Sequence, residues 1–282
     1  MEQNYVIVTD SSCDLPAELA QELELAVLPL TLTLGGKEYA NYLDGREIGF
    51  SEFYGRIRQG EVAVTAAANL EGYLSIMEPI LQAGKDILLL VFSSGLSSTY
   101  QVSLLAAEEL SQKYPQRKIL PVDTLCASMG QGLLVYLAAR QRGEGKSLQE
   151  VRDWVEKEKY HLCHWFTVDD LMYLKRGGRL NAATALVGTA LGIKPVLHID
   201  NEGHLINMGK ARGRRASLTA LVDKMAELAV EPQGQVAFIS HGDCLEDAKA
   251  VEQMLKQRLG VKKVIISYVG PVIGAHTGPG VV

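Results

Sequence analysis

The sequence predicts an α/β protein of two domains, the first a largely parallel sheet flanked by helices and the second a mixed α/β sheet. Three observations carry this. Apolar runs of strand length alternate with amphipathic stretches of helix length up to about residue 158, the pattern of right-handed βαβ crossovers. The texture then changes to a hairpin signature between Lys194 and Met208 before helix and strand resume. At 282 residues and 47% hydrophobic content, the chain has material for two ordinary cores. The expected division is 1–157 and 158–282.

Tyr5–Thr9 reads as the first strand, Asp10-Ser-Ser-Cys-Asp14 as a polar loop, and Leu15-Pro16 as a helix opening with proline in its favoured first turn. Val27 to Leu34, Gly35-Gly36 and Lys37-Glu-Tyr39 form a hairpin, because two glycines supply the positive φ angles of a primed turn. A short helix starts at Ser51 and stops near Gly60. Val62–Asn69 is irregular and reads as a connecting segment, with Asn69 capping a helix from Leu70 to Gln82 and Gly84 just past its end.

Ile87–Phe92 is a purely apolar strand, followed by the hydroxyl-rich loop Ser93-Ser-Gly-Leu-Ser-Ser-Thr99. Ser97 or Ser98 caps the next helix, which runs to about Lys113 with Val102, Leu105, Ala106 and Leu110 on one face. Lys118–Val122 is a strand, Asp123-Thr124 a polar loop, and Met129–Arg140 an almost wholly apolar helix that belongs inside. Ser147-Leu-Gln-Glu150 is a capping box for a helix to about Tyr160.

Leu162–Val168 looks like a strand, Asp170–Leu174 a helical turn, and Lys175-Arg-Gly-Gly-Arg179 a basic, flexible stretch. An apolar helix, Ala182 to Leu191, leads into Lys194–Ile199, and Asn201–His204 turns the chain into Leu205–Met208. A helix capped by Ser217, a strand Gln235–Ser240, a helix Leu245–Leu259 ended by Gly260, and a strand Lys263–Val269 complete the α/β pattern.

A net charge of -5 with 22% charged residues points away from nucleic acid and anionic surfaces. The one basic excess is local: Lys175, Arg176, Arg179, Lys194, Lys210, Arg212, Arg214 and Arg215 face only Asp200 and Glu202, without the interleaved aromatics that stack on bases. No stretch is long and apolar enough for an integral membrane segment. Cys13, Cys126, Cys163 and Cys244 form no C-x-x-C pair, which suits a reducing compartment, so a cytoplasmic location is expected. His161, Cys163 and His164 fit strand packing better than zinc, and no metal or cofactor is expected.

The loop after Phe92 joins a strand's carboxyl end to a helix's amino end, where open α/β sheets bind ligands and unpaired N–H groups favour anions. Taken alone it is also explained by a capped turn with solvated serines. His276-Thr277-Gly-Pro-Gly280 sets an imidazole and a hydroxyl among glycines, which suits close approach to a ligand; the alternative is a terminal turn with an exposed histidine. Asp10 and Asp14 have oxygens fit for Mg²⁺, although helix capping explains them more simply. A serine hydrolase of acyl esters or acyl-phosphates using Ser94 and His276 is the competing reading, since such partners assemble from distant positions.

Val8-Thr-Asp-Ser-Ser12, Ser93-Ser-Gly-Leu-Ser97 with Tyr100-Gln101, Asp123-Thr124, Asp170 through Leu174-Lys175 with Gly178-Arg-Leu180, Ile193-Lys-Pro-Val196, Lys210-Ala-Arg212 and Gly270-Pro-Val272 with His276–Gly280 run in order along nearly the whole chain. This ordered set resembles the DegV family of bacterial fatty acid-binding proteins, of the EDD fold. The resemblance implies a non-catalytic carrier. Its two domains would hold a long-chain fatty acid, the tail in an apolar tunnel that the second domain helps build and the carboxylate near the interdomain surface. It would present the acid to a separate ATP-dependent fatty acid kinase subunit, which makes the acyl-phosphate for phospholipid synthesis. By motif, Thr65, Ser93 and Ser94 would bind the carboxylate, His276 and Thr277 would lie beside it, and Arg179 and Arg212 would place the head group or dock the kinase. The family's usual Thr-Thr-Ser-Gln-Pro is here Thr65-Ala-Ala-Ala-Asn69, which shifts the expected hydroxyl contacts toward Ser93 and Ser94.

Overall fold

The computed structural model describes residues 4–180 and 192–282. In chain order the first half contains β1 (Tyr5–Asp10), α1 (Ala17–Glu22), β2 (Ala26–Leu28), β3 (Leu30–Leu34), β4 (Lys37–Asn41), α2 (Phe50–Arg58), β5 (Ala63–Thr65), α3 (Leu70–Gln82), β6 (Asp86–Val91), α4 (Thr99–Lys113), β7 (Ile119–Asp123), α5 (Ser128–Gly143) and α6 (Leu148–Glu158). A four-stranded sheet of order β2-β1-β6-β7 is parallel throughout. Its central strand β6 explains the apolar run. Leu88 and Leu90 face a core with Leu134 and Val135 of α5 and Val151 and Val155 of α6. Ile87, Leu89 and Val91 face a second core with Tyr73 and Met77 of α3 and Ala106 and Leu110 of α4. Period-two alternation thus feeds both faces of one sheet.

Local signals end these elements as their chemistry requires. Asn69 Oδ1 accepts from the Gly72 N–H at 2.7 Å, and Gly84 beyond α3 has φ +77°. Ser147 and Glu150 cap each other reciprocally at the start of α6. The β3–β4 turn places Gly35 and Gly36 at φ +59° and +78°, as a primed turn needs.

Several expectations are corrected. The run Val27–Leu34 is two strands: β2 pairs parallel with β1, and after Pro29, which has no N–H to donate, β3 turns into a separate antiparallel sheet of order β4-β3-β5. Residues 62–69 are not merely a connection, because β5 pairs with β3 through Leu32↔Thr65 and Leu34↔Ala63. Leu105 is 58% exposed, so the buried face of α4 is carried by Ser103, Ala106, Ala107 and Leu110. The polar loop after β7 begins later than expected, since Asp123 is the strand's last residue.

The remainder contains β8 (Trp165–Phe166), α7 (Met172–Arg176), β9 (Ile193–Ile199), β10 (Leu205–Arg212), α8 (Arg214–Leu228), β11 (Val236–His241), α9 (Leu245–Leu259), β12 (Lys263–Tyr268) and α10 (Pro271–Thr277). The β9–β10 hairpin is antiparallel, β8 adds to β9, and β11 pairs parallel with β12. α8 and α9 pack with β11 around Leu218, Val222, Val251 and Leu255. Residues 280–282 join the two sheets, with Gly280 N–H donating to Gly242 O at 2.8 Å and Val282 N–H to Thr167 O at 3.0 Å.

Only Trp165 and Phe166 of the expected strand Leu162–Val168 make a ladder. Lys175 and Arg176 belong to α7 rather than to a loop. Ser217 does not cap α8, which begins at Arg214; its Oγ donates back to Arg214 O at 2.8 Å from inside the first turn. The expected helix Ala182 to Leu191 lies outside the described residues. Gly270-Pro271 starts a true helix, α10, with proline in its first turn. That helix packs Val272 and Ala275 against Leu30, Leu32 and Leu34 of β3 and Phe53 and Tyr54 of α2.

Candidate functional site

A cavity of about 960 Å³ is lined in part by α10, which contributes Val272, Ile273, His276 and Thr277 to its wall. This is near the upper end of the roughly 300–1,000 Å³ of small-molecule sites. Phe92, Leu96, Met129, Phe166, Val236 and Phe238 give it a largely apolar lining.

On this wall β5 and α10 bring Thr65 and His276 together, their Oγ1 and Nε2 2.8 Å apart. Burial, reinforced by the neighbouring Arg179 charge, lowers the His276 imidazole to about 4, so it is neutral near neutral pH. Its Nδ1 is buried without a hydrogen-bond partner. A proton there would be a buried, unmade donor, which favours the tautomer in which Nε2–H donates to Thr65. The Thr65 hydroxyl is then free to donate to a ligand. Gly177 makes this packing possible, because a Cβ there would stand 2.2 Å from Nδ1.

Arg179 also lines the cavity, its guanidinium held by Leu96 O at 3.1 Å and Gly177 O at 2.6 Å. Ala66 and Ala67, next to Thr65 in the chain, also line the cavity and offer no side-chain polar atom. Thr277 is on the wall, although its hydroxyl donates to Ile273 O at 3.2 Å within the helix.

Ser93 is fully buried, its Oγ donating to Gly203 O at 2.9 Å and accepting from Gly95 N–H at 3.1 Å. It holds the loop against the β9–β10 turn. Ser94 is half-buried, and its backbone N–H donates to Asp123 Oδ1 at 3.1 Å. Its Oγ makes no hydrogen bond among the described residues, and no Ser94–His276 bond is present. Arg212 is exposed at the end of β10. The structure therefore gathers Thr65, Arg179, His276 and Thr277 around one cavity, whose lining includes neither Ser93, Ser94 nor Arg212.

The opening loop is a buried polar joint. Asp10 accepts from Ser12 N–H at 3.1 Å, Phe92 N–H at 3.0 Å and Gln131 Nε2 at 3.3 Å. Asp14 accepts from Gly270 N–H at 2.9 Å and Ser128 Oγ at 2.6 Å, and burial pushes its carboxyl up to about 8. Both carboxylates serve capping and cross-linking, and no cluster of three or more metal-ligating side chains occurs among the described residues.

Sequence reasoning missed Ser128 and Ser240 and weighed His164 only as a strand residue; all three add polar points to the wall. His164 Nε2 lies 3.2 Å from Cys126 Sγ, and burial holds its imidazole down at about 4. For Ser240 a signal existed, since it breaks the apolar face set by Val236 and Phe238 in an alternating strand. Among the described residues no helix is long and apolar enough to cross a membrane.

A family model described as an uncharacterised protein of the DegV family matches residues 4–282. A DegV domain-containing protein of Clostridium perfringens is 43% identical over 278 residues, covering 99% of this chain and 95% of that protein. Among solved structures, a DegV family protein from Thermus thermophilus described by its fatty acid binding has 31% identity and a TM-score of 0.87, covering 99% of this chain and 97% of the other. DegV of Bacillus subtilis, described as a fatty acid binding protein, has 26% identity and a TM-score of 0.86 at the same coverages.

Proposed function

Because the chain belongs to the DegV family, we propose that it binds a long-chain fatty acid and serves as the carrier subunit of an ATP-dependent fatty acid kinase in the cytoplasm. The observation that carries this reading is the largely apolar cavity of about 960 Å³ whose wall includes the Thr65–His276 pair and Arg179. The Thr65 hydroxyl donates to the carboxylate and the Arg179 guanidinium offsets its charge. Neutral His276 orients Thr65 without adding a charge of its own. Ser94, whose Oγ is uncommitted, turns toward the same carboxylate when ligand is bound. The tail lies among the apolar residues between the two lobes, which we divide near residue 158.

Acyl-phosphate formation would take place on the partner kinase, with this chain binding and orienting the acid and excluding water from its tail. Arg212, exposed on the hairpin of β9 and β10, belongs to the surface that docks the kinase. Native mass spectrometry of the purified protein, followed by titration with added acids, tests the core of the reading. Recovery of a fatty acid, or tight binding of an added one, is expected. Absence of both overturns it. Arg212→Glu should abolish kinase-dependent acyl-phosphate formation while leaving acid binding intact, and loss of both or of neither refutes the docking role.

A further inference from the structure

Among the side chains that β11 alternates toward the cavity, Val236 and Phe238 are apolar and Ser240 is the exception. Its Oγ lies 2.9 Å from Ser128 Oγ, and Ser128 Oγ in turn donates to Asp14 at 2.6 Å. Both serines are only partly buried, and both line the cavity. A hydroxyl carries one donor and two acceptor sites. Ser240 uses one of them on Ser128 and makes no other hydrogen bond among the described residues, so its remaining capacity faces the apolar space. A plain acyl chain packed there would strip water from that oxygen and return nothing, which is unfavourable.

The position of the pair follows from α10. Asp14 binds the Gly270 N–H at one end of this helix, and His276 meets Thr65 near the other. Six residues at the helical rise separate those ends by about 9 Å. The serine pair, tied through Asp14 to the Gly270 end, therefore stands apart from Thr65 on the same cavity wall, where it meets the acyl chain and not a carboxylate held by Thr65.

We propose that Ser240, with Ser128 behind it, recognises a mid-chain hydroxyl, so that hydroxylated long-chain acids are a ligand class of this site. The inference rests on the fatty acid reading above and narrows it. Ser128 gives its one proton to Asp14, so Ser240 donates to Ser128 and keeps only acceptor capacity, which a ligand hydroxyl meets as the donor.

The test is a displacement titration with stearic acid, its mid-chain monohydroxy derivatives, and the acids bearing a methyl branch at the same positions. At least one hydroxy acid should bind about fivefold more tightly than its methyl counterpart, the yield of one neutral hydrogen bond. Ser240→Ala should remove that preference. Equal binding of hydroxy and methyl acids at every position, or a preference that survives Ser240→Ala, overturns the inference while leaving fatty acid binding in place. Failure of stearic acid and every derivative to bind removes the underlying reading and this inference with it.

Discussion

Gly177→Ala isolates the contact that holds His276. Gly177 has φ -71° and ψ -10°, a right-handed conformation open to alanine, so the substitution changes packing and not backbone strain. The new Cβ would stand 2.2 Å from Nδ1, 3.1 Å from Cε1 and 3.2 Å from Cγ of the imidazole, whereas ordinary contact begins at 3.4 Å. The ring must therefore shift by about 1.2 Å, the difference between the two limits for Nδ1. Such a shift either drives Nε2 into Thr65 or swings it out of reach, and the 2.8 Å geometry is lost in both cases. Losing that bond and the orientation it gives Thr65 should cost about 1.4 kcal/mol in ligand binding, a roughly tenfold rise in Kd. Calorimetric titration with palmitic acid near neutral pH reads the effect, with circular dichroism as a check on the fold. Gly55→Ala is the control, since nothing lies within 4 Å of its added Cβ. An affinity within twofold of the parent for folded Gly177→Ala would refute the reasoning.

Affinity for saturated acids should rise by about 0.8 kcal/mol per added methylene until the tunnel is full; a flat series in displacement assays would place the tail outside it. Asp14→Asn should fold, since an amide accepts from Gly270 and still pairs with Ser128. Asp14→Ala leaves buried partners unmade and should lose about 1–3 kcal/mol in urea melts. The Asp14 carboxyl is raised from 3.8 to about 8 in the folded protein, so its contribution is full below pH 3.8 and is lost as pH rises through about 8. Asp14→Asn should remove that loss on the alkaline side. His164 and His276 act in the opposite direction: both are lowered from 6.5 to about 4, so stability is intact above pH 6.5 and falls as pH drops through about 4. Replacing both with asparagine should flatten the acid limb of the urea-midpoint profile relative to the parent, and an unchanged slope would reject this source.

The parts of the fold legible in the sequence are those fixed by contacts a few residues apart. The Asn69 cap, the Ser147–Glu150 box, the glycine pair after β3 and the unbroken apolar run of β6 each carry their cause locally. β5 does not, because three residues become a strand only through the neighbouring β3 edge. Leu105 satisfies helical spacing but sits beyond the arc that α4 presents to β6 and α3, where the smaller Ala106 and Ala107 make the contact. At the site, Thr65, Arg179, His276 and Thr277 were named from motifs, and their convergence is a property of α10 lying across β3 and β5. The serine loop pointed to an anion by its composition, yet composition does not say that Gly203 would occupy the Ser93 hydroxyl from a hairpin 110 residues away. Ser128 and Ser240, 112 residues apart, become a pair only when β11 meets the start of α5.

The two attachments of α10 also bear on how the protein is made. Asp14 reaches Gly270 across 256 residues and Thr65 reaches His276 across 211, so the Thr65 end of the cavity cannot close until the segment that carries both partners has docked. Contacts so distant in sequence form late and slowly, after the local helices and the β1–β6 pairing have met their own entropy cost. The two cores on the parallel sheet contain no residue of α10, whereas the cavity wall beside Thr65 depends on it. Retention of an acyl chain would then mark the last step of folding, and a ligand added during refolding should speed only that final phase.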